Sequence, residues 1–365
     1  MPGAARGARA APAAHVKALA VLRRLGRALL LAVVRLFPAG RGGPVPGPVR
    51  SVLVVRTDDR VGNLLLTTPL LASLRAGLPG ARIGLLCAAR RSPAVEGTGL
   101  YDELWRFEKR DFFRRPWRFV AFCLALRRVG YQVAIEAGHS HAFSFTGAAL
   151  ALWSGAAVRI GHRRGEASRF LTHAVEAQDA PIYDAAAKLA LLEPLGIRAT
   201  LTPLRTELGR ARLEELRGLM QQALVIYPGA RKLDHRWEPR GFAEAARRLA
   251  DRTGLRPWIA WGPGELELAR EVAAAASADL LPPTDLEGLA AAFRAASVVL
   301  TNDTGPMHLS VAAGAPTVAV FLTEDAARWA SPEPHARAVQ VRGMDRETAV
   351  ARVVEAAAEL LQGRT

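Results

Sequence analysis

The stretch VVLTNDTGPMHLSVAAGAPTVAVF, residues 298–321, decides how this chain folds. Two β-branched runs, VVLT and TVAVF, flank a polar loop, NDTGPMH (302–308), and an Ala-rich segment. Apolar runs this short read as strands buried on both faces, and the segment between them reads as a helix. Strand, loop, helix, strand is the βαβ unit of a parallel sheet, whose ligands bind at the carboxyl edge of the strands. In the loop, Asp303 and Thr304 stand where they cap a helix starting near Pro306, with Gly305 and Met307 beside it and His308 in its first turn. The free N–H groups and the positive dipole end of such a helix suit a diphosphate.

The same alternation continues outward in both directions. ALVIYPGA (223–230) is a strand running into Pro-Gly, and AEAARRLADRTG is a helix closed by Gly254. RPWIAWGPGE (256–265) is a strand entering a Gly-Pro-Gly turn, and Glu265 opens the next helix. Arg231, Lys232, His235 and Arg236 form a cationic cluster directly after a strand end, where substrate phosphates bind in such sheets. Nearer the amino terminus, SVLVVR (51–56) is a strand, TDDRVGN a loop, LLLTTPLLASLRAGLP a helix and ARIGLLCAA a second strand. Residues 117–129 read as a helix, and 131–137 and 156–162 as strands. The expected organisation is an α/β chain with Rossmann-like domains at 51–205 and 223–345 and a carboxyl-terminal helix at 346–365. No GxGxxG follows the first strand, which argues against dinucleotide binding in its usual mode.

The net charge is +15 over 365 residues, but residues 1–50 hold nine Lys/Arg and no acid, which leaves only +6 for the other 315. The charge therefore marks a terminal arm, and no nucleic-acid partner is expected for the body. Residues 16–37 (VKALAVLRRLGRALLLAVVRLF) have helical apolar spacing broken by Arg23, Arg24, Arg27 and Arg35. That run is too short and too charged to span a bilayer, which needs ~20 apolar residues. It reads as a basic amphipathic helix lying on an anionic membrane surface, joined to the body by the Gly/Pro-rich linker that ends near Arg50. The corresponding location is cytoplasmic, on the inner face of the cytoplasmic membrane. Cys87 and Cys123 sit in apolar surroundings without a metal-binding pattern and read as reduced core thiols.

Four segments, in order, carry a family resemblance: VLVVRTDDRVGNLLLTTPLLASLR, VIYPGARKLDHRWEPRGFAEAARRL, WIAWGPGELELA, and VVLTNDTGPMHLSVAAGAPTVAVF followed by RWASP. Across residues 52–332 the chain resembles glycosyltransferase family 9, the ADP-heptose:lipopolysaccharide heptosyltransferases and their relatives. The resemblance implies a GT-B fold, with the acceptor on the amino half and the nucleotide on the carboxyl half. It further implies inverting, metal-independent transfer from a nucleoside-diphosphate sugar, ADP-linked by likeness, to a lipid-linked or surface glycan, with no cofactor. By that likeness Asp303, Thr304, Gly305 and His308 face the donor's diphosphate and sugar, and Glu265 the ribose.

The chain departs from the family at two places. Asn63 occupies the position of the usual catalytic Asp, and an amide cannot accept a proton. Asp58 and Asp59, in the same loop, are the candidates to replace it. His235 stands where a Lys often does, leaving Lys232, Arg236 or a protonated His235 to supply the charge.

Overall fold

The computed structural model describes residues 45 and 47–363, except 143, 179, 219, 221 and 324. The basic helix expected over 16–37 lies outside the described residues. Among the described residues, twelve strands form two six-stranded sheets. The first holds β1 (Ser51–Arg56), β2 (Arg82–Ala88), β3 (Glu103–Phe107), β4 (Val133–Glu136), β5 (Val158–His162) and β6 (His173–Val175), in the order β3-β2-β1-β4-β5-β6. The second holds β7 (Ala223–Tyr227), β8 (Arg256–Ile259), β9 (Asp279–Leu280), β10 (Val298–Asn302), β11 (Thr317–Phe321) and β12 (Ala336–Gln340). Its order, β12-β11-β10-β7-β8-β9, repeats the topology of the first. Every pairing is parallel. Each sheet therefore has a switch point, between β1 and β4 and between β7 and β10, where a crevice opens at the carboxyl edge.

The central strands are apolar on both faces because helices cover both faces. All six residues of β1 are buried, with Val52 and Val54 packed in one cluster and Leu53 and Val55 in another. The second lobe behaves alike: Phe242, Ala246 and Leu249 of helix Pro239–Thr253 pack on Leu224, Ile226 and Val298. That helix ends where expected, at Gly254 in the left-handed region (φ 72°). The last helix, Arg346–Gln362, is capped by Asp345, whose carboxylate accepts from Thr348 N at 3.0 Å. It buries Val350, Val353 and Ala357 in the second lobe's core.

The expected helix after β1 is divided. Val61–Leu65 forms a first turn, and Thr68–Gly77 follows it. Thr67 and Thr68 donate back to the carbonyls of Asn63 and Leu65, and Pro69 lacks the N–H an unbroken ladder needs. Gly62 and Asn63, read from sequence as loop residues, are thus helical.

The lobes are joined by a segment clamped onto the second. Arg294 donates to the carbonyls of Thr206, Leu208 and Ala313, and Gly209 N donates to Glu287. One apolar cluster runs from Val52 and Leu71 through Leu192 and Leu204 to Phe293 and Val299, so it spans both lobes. Among the described residues no helix is long and apolar enough to cross a membrane. Cys87 is buried, Cys123 is half-buried, and both are free thiols.

Candidate active site between the lobes

The loop after β10 and the short helix after β1 meet face to face. A side chain on Gly62 would start 3.2 Å from His308 Cγ and 3.4 Å from Gly305 Cα, and one on Gly305 would start 3.0 Å from Val61 Cγ1. Only residues without a Cβ allow the two backbones to approach this closely. Asp303 to Pro306 remain partly exposed, whereas Met307 and His308 are buried. The turn from strand to helix thus opens onto the junction between the lobes.

Its details differ from the sequence reading in two respects. The helix starts at Gly305, and Thr304 takes the N-cap position without a side-chain cap bond. Asp303 does not cap either; its Oδ2 lies 3.2 Å from His235 Nδ1. The reason is the adjacent Asn302, which is buried and bonds Trp237 N at 2.8 Å and the Pro228 carbonyl at 2.8 Å. Those bonds hold the loop containing His235 against β10, so the carboxylate meets the His235 imidazole before it reaches the helix. Burial pushes the Asp303 carboxyl up to about 6, against the pull of His235. No side-chain acceptor caps the first turn of this helix.

The cationic cluster divides. Arg231 and Lys232 are exposed, and the charge of Lys232 acts on Asp303. Arg236 turns inward instead, donating from Nη2 to the Ala230 carbonyl at 2.6 Å. His308 is buried, its Nδ1 has no partner, and burial lowers its pKa to about 4, so it is neutral at physiological pH.

Glu265 faces the end of β7. Its Oε2 accepts from Tyr227 Oη at 2.7 Å and from Gly262 N at 3.0 Å. Gly229 passes so close to this carboxylate that any side chain there would collide with it. One oxygen is therefore fixed, and the other is held in a set direction.

Across the junction, Asp58 lies between Arg56 Nε (2.8 Å) and Asn63 Nδ2 (3.0 Å). Asp59 points outward, about half exposed, to Arg91 Nε at 2.8 Å. Sequence reasoning missed the ionic network beneath Asp58. Arg56 donates to the Ala137 carbonyl at 2.6 Å and meets His139 Nε2 at 2.9 Å. His139 Nδ1 reaches Asp184 Oδ1 at 2.8 Å, and Asp184 pairs with Lys188 inside the lobe. Burial alone would raise the Asp184 pKa, but Lys188 and His139 hold it well below the usual carboxylate range. Burial lowers Lys188 to about 8. Burial also raises Glu136, at the end of β4, to about 7. The available signal was HSH (139–141) directly after the strand read at 131–137, at the carboxyl edge of the sheet.

His139 and His141 stack with centroids 5.0 Å apart, and Trp329 of the second lobe stands edge-on to both, at 5.3 and 5.7 Å. The ligand atoms of His139, His141 and Asp184 lie within 4.8 Å of one another, near enough to hold a metal ion. However, Arg56 already occupies His139 Nε2 and Lys188 occupies Asp184, and both cations oppose a further positive charge. The trio fits an ion-pair network better than a metal centre.

Two parallel six-stranded lobes with a strand-to-helix turn at their junction define a GT-B glycosyltransferase architecture. The chain belongs to glycosyltransferase family 9 (heptosyltransferase), which it matches over residues 119–359. It is 23% identical to lipopolysaccharide heptosyltransferase 3 of Escherichia coli K12, over 73% of this chain and 81% of that protein. Its fold is shared by a family 9 glycosyl transferase from Veillonella parvula, with a TM-score of 0.74, 20% identity, and coverage of 88% of this chain and 100% of that one. E. coli heptosyltransferase WaaC, solved with ADP, aligns with a TM-score of 0.70 and 22% identity over 84% of this chain and 99% of that one.

Proposed function

We propose that this protein transfers a heptose, with inversion and without a metal ion, from an ADP-linked donor to a lipid-anchored glycan of the lipopolysaccharide-core type. The work would be done at the inner face of the cytoplasmic membrane. The observation that carries this reading is the turn at 303–305, uncapped by any side chain and facing the Val61–Leu65 helix of the other lobe. A heptosyltransferase of the same fold, solved with ADP, supports the choice of nucleotide.

In this reading Asp58 removes the proton from an acceptor hydroxyl as that oxygen attacks the anomeric carbon. The bond from that carbon to the β-phosphate oxygen breaks, and ADP leaves with the electron pair. The start of the Gly305–Ala312 helix, with Arg231 and Lys232, stabilises the charge that builds on the diphosphate. Glu265 binds the ribose through its free oxygen. Asp303 and His235 hold the sugar-side polar groups, and Arg56 and Asn63 keep Asp58 aimed.

The test is ADP release from ADP-heptose in the presence of a deacylated lipopolysaccharide-core acceptor, with UDP- and GDP-sugars as controls. Acceptor-dependent release of the nucleoside diphosphate is expected from ADP-heptose and not from the UDP- or GDP-sugars. Binding of ADP without turnover of any donor would instead mark a nucleotide-sugar-binding relative that assists a partner enzyme.

A further inference from the structure

Helix Pro116–Arg128 turns an apolar stripe outward. Trp117 is 66% exposed, Val120 54% and Leu124 50%, three of the four large hydrophobic residues left exposed among the described residues. With Ala121, also exposed, they recur at i, i+3, i+4 and i+7, which is one continuous face of a helix. The opposite face is fully used. Phe119 packs on Phe107 and Trp153, Phe122 on Trp105, and Leu126 is completely buried. Core packing therefore fixes the helix in place, and the exposed stripe is not the residue of a loose element.

Cations frame the stripe. Arg114, Arg115 and Arg118 stand at its start and Arg127 and Arg128 at its end, all exposed. Residues 108–128 hold seven Lys/Arg against two acids, Glu108 and Asp111. We infer that this face docks on an anionic lipid bilayer, with Trp117, Val120 and Leu124 entering the headgroup boundary and the arginines pairing with lipid phosphates. A Trp at the end of an amphipathic, arginine-flanked helix matches the chemistry of that boundary. A second copy of the chain is a poor occupant, because symmetric pairing would press two strongly cationic faces together.

The placement also orients the site. The chain leaves the carboxyl end of β3 at Phe107 and enters this helix at Pro116, so Trp117 lies toward the same sheet edge as Asp58 and His139. Docking there brings the mouth of the junction to the bilayer surface, where a lipid-anchored acceptor is found. Only that link to the acceptor rests on the proposed function; the surface stands without it.

The full-length protein is mixed with vesicles of phosphatidylcholine alone or with phosphatidylglycerol, and sedimentation is followed together with hydroxyl-radical oxidation of Trp117. Binding to the anionic vesicles only, with Trp117 protected, is expected. The pairs Trp117→Ser/Leu124→Ser and Arg114→Gln/Arg118→Gln should each weaken binding about tenfold or more and leave the unfolding midpoint unchanged. The inference is overturned if Trp117 oxidises equally while the protein sediments, if both variants bind like the parent, or if the parent does not bind. Protection of Trp117 by rising protein concentration alone would also overturn it, in favour of a protein interface. ADP affinity measured on the same samples separates the two ideas. Its absence would count against the proposed function and leave the vesicle result standing.

Discussion

Asn63 donates from Nδ2 to Oδ1 of Asp58 across 3.0 Å, and the other oxygen of that carboxylate meets Arg56 Nε at 2.8 Å. The amide that the family resemblance puts at the position of the catalytic Asp therefore holds another carboxylate five residues earlier, in the loop after β1. Its own helix is the one that touches His308 and Gly305. Asp58 is thus bonded to the residue that follows Gly62, the glycine packed against the turn proposed to bind the donor.

Asp58 and Asp59 are then unequal. Asp58→Asn should lower the turnover number about 10²- to 10⁴-fold, the usual contribution of a general base. Asp59→Asn, which removes only an exposed pair with Arg91, should change it by about twofold or less. Steady-state ADP release on the two variants checks this, and equal losses would refute the assignment.

Gly62→Ala probes the contact between the lobes. The added methyl would start against the imidazole of buried His308 with Gly305 behind it, so it cannot turn toward open space. Overpacking of this kind costs about 1–3 kcal/mol. A matching loss in denaturant stability is expected, with transfer reduced at least about tenfold as the turn shifts.

Glu265 and Tyr227 should differ in degree. Glu265→Gln removes the charge that would accept ribose hydroxyls, a loss of about 1.5–3 kcal/mol, or tenfold or more in ADP affinity. Tyr227→Phe removes one of the two bonds that orient Oε2 and should cost only a few-fold. Calorimetric titration with ADP distinguishes them; identical affinities in both variants and the parent would remove Glu265 from the site.

Glu136 gives a pH signature. Burial raises its folded pKa to about 7 from the ordinary 4.5 of a free glutamate, so the folded protein keeps the proton after the unfolded chain has lost it. The stability tied to that proton is complete below pH 4.5 and is lost as pH rises through about 7. Glu136→Gln escapes the loss. The midpoint difference between variant and parent should therefore grow in favour of the variant from pH 5 to pH 8, and a constant difference would contradict this.

Apolar runs made the inner strands of both sheets legible, because β1, β7 and β10 are buried on both faces, whereas the outer strands β3, β6, β9 and β12, shorter or less buried, left no such run. The 302–308 loop was legible as a strand-to-helix turn, because it stands between an apolar run and an Ala-rich segment. The pairing of Asp303 with His235 was not, because it joins residues 68 apart and displaces the cap that local spacing favours. The Arg56–His139–Asp184–Lys188 network was equally hidden. Its members come from β1, from the loop after β4 and from a helix near 184–189, and only the sheet order brings them together. Asn63 looked like a missing base because its partner's position depends on a helix starting at Val61, earlier than the loop composition implied.

Everything proposed for this site depends on a diphosphate docking at the turn from β10 into the Gly305–Ala312 helix. A crystal structure of the protein with ADP tests it most directly. Phosphate oxygens are expected within hydrogen-bonding distance of the backbone at Thr304 and Gly305, with the ribose at Glu265. Density for ADP elsewhere, with those groups untouched, would contradict it.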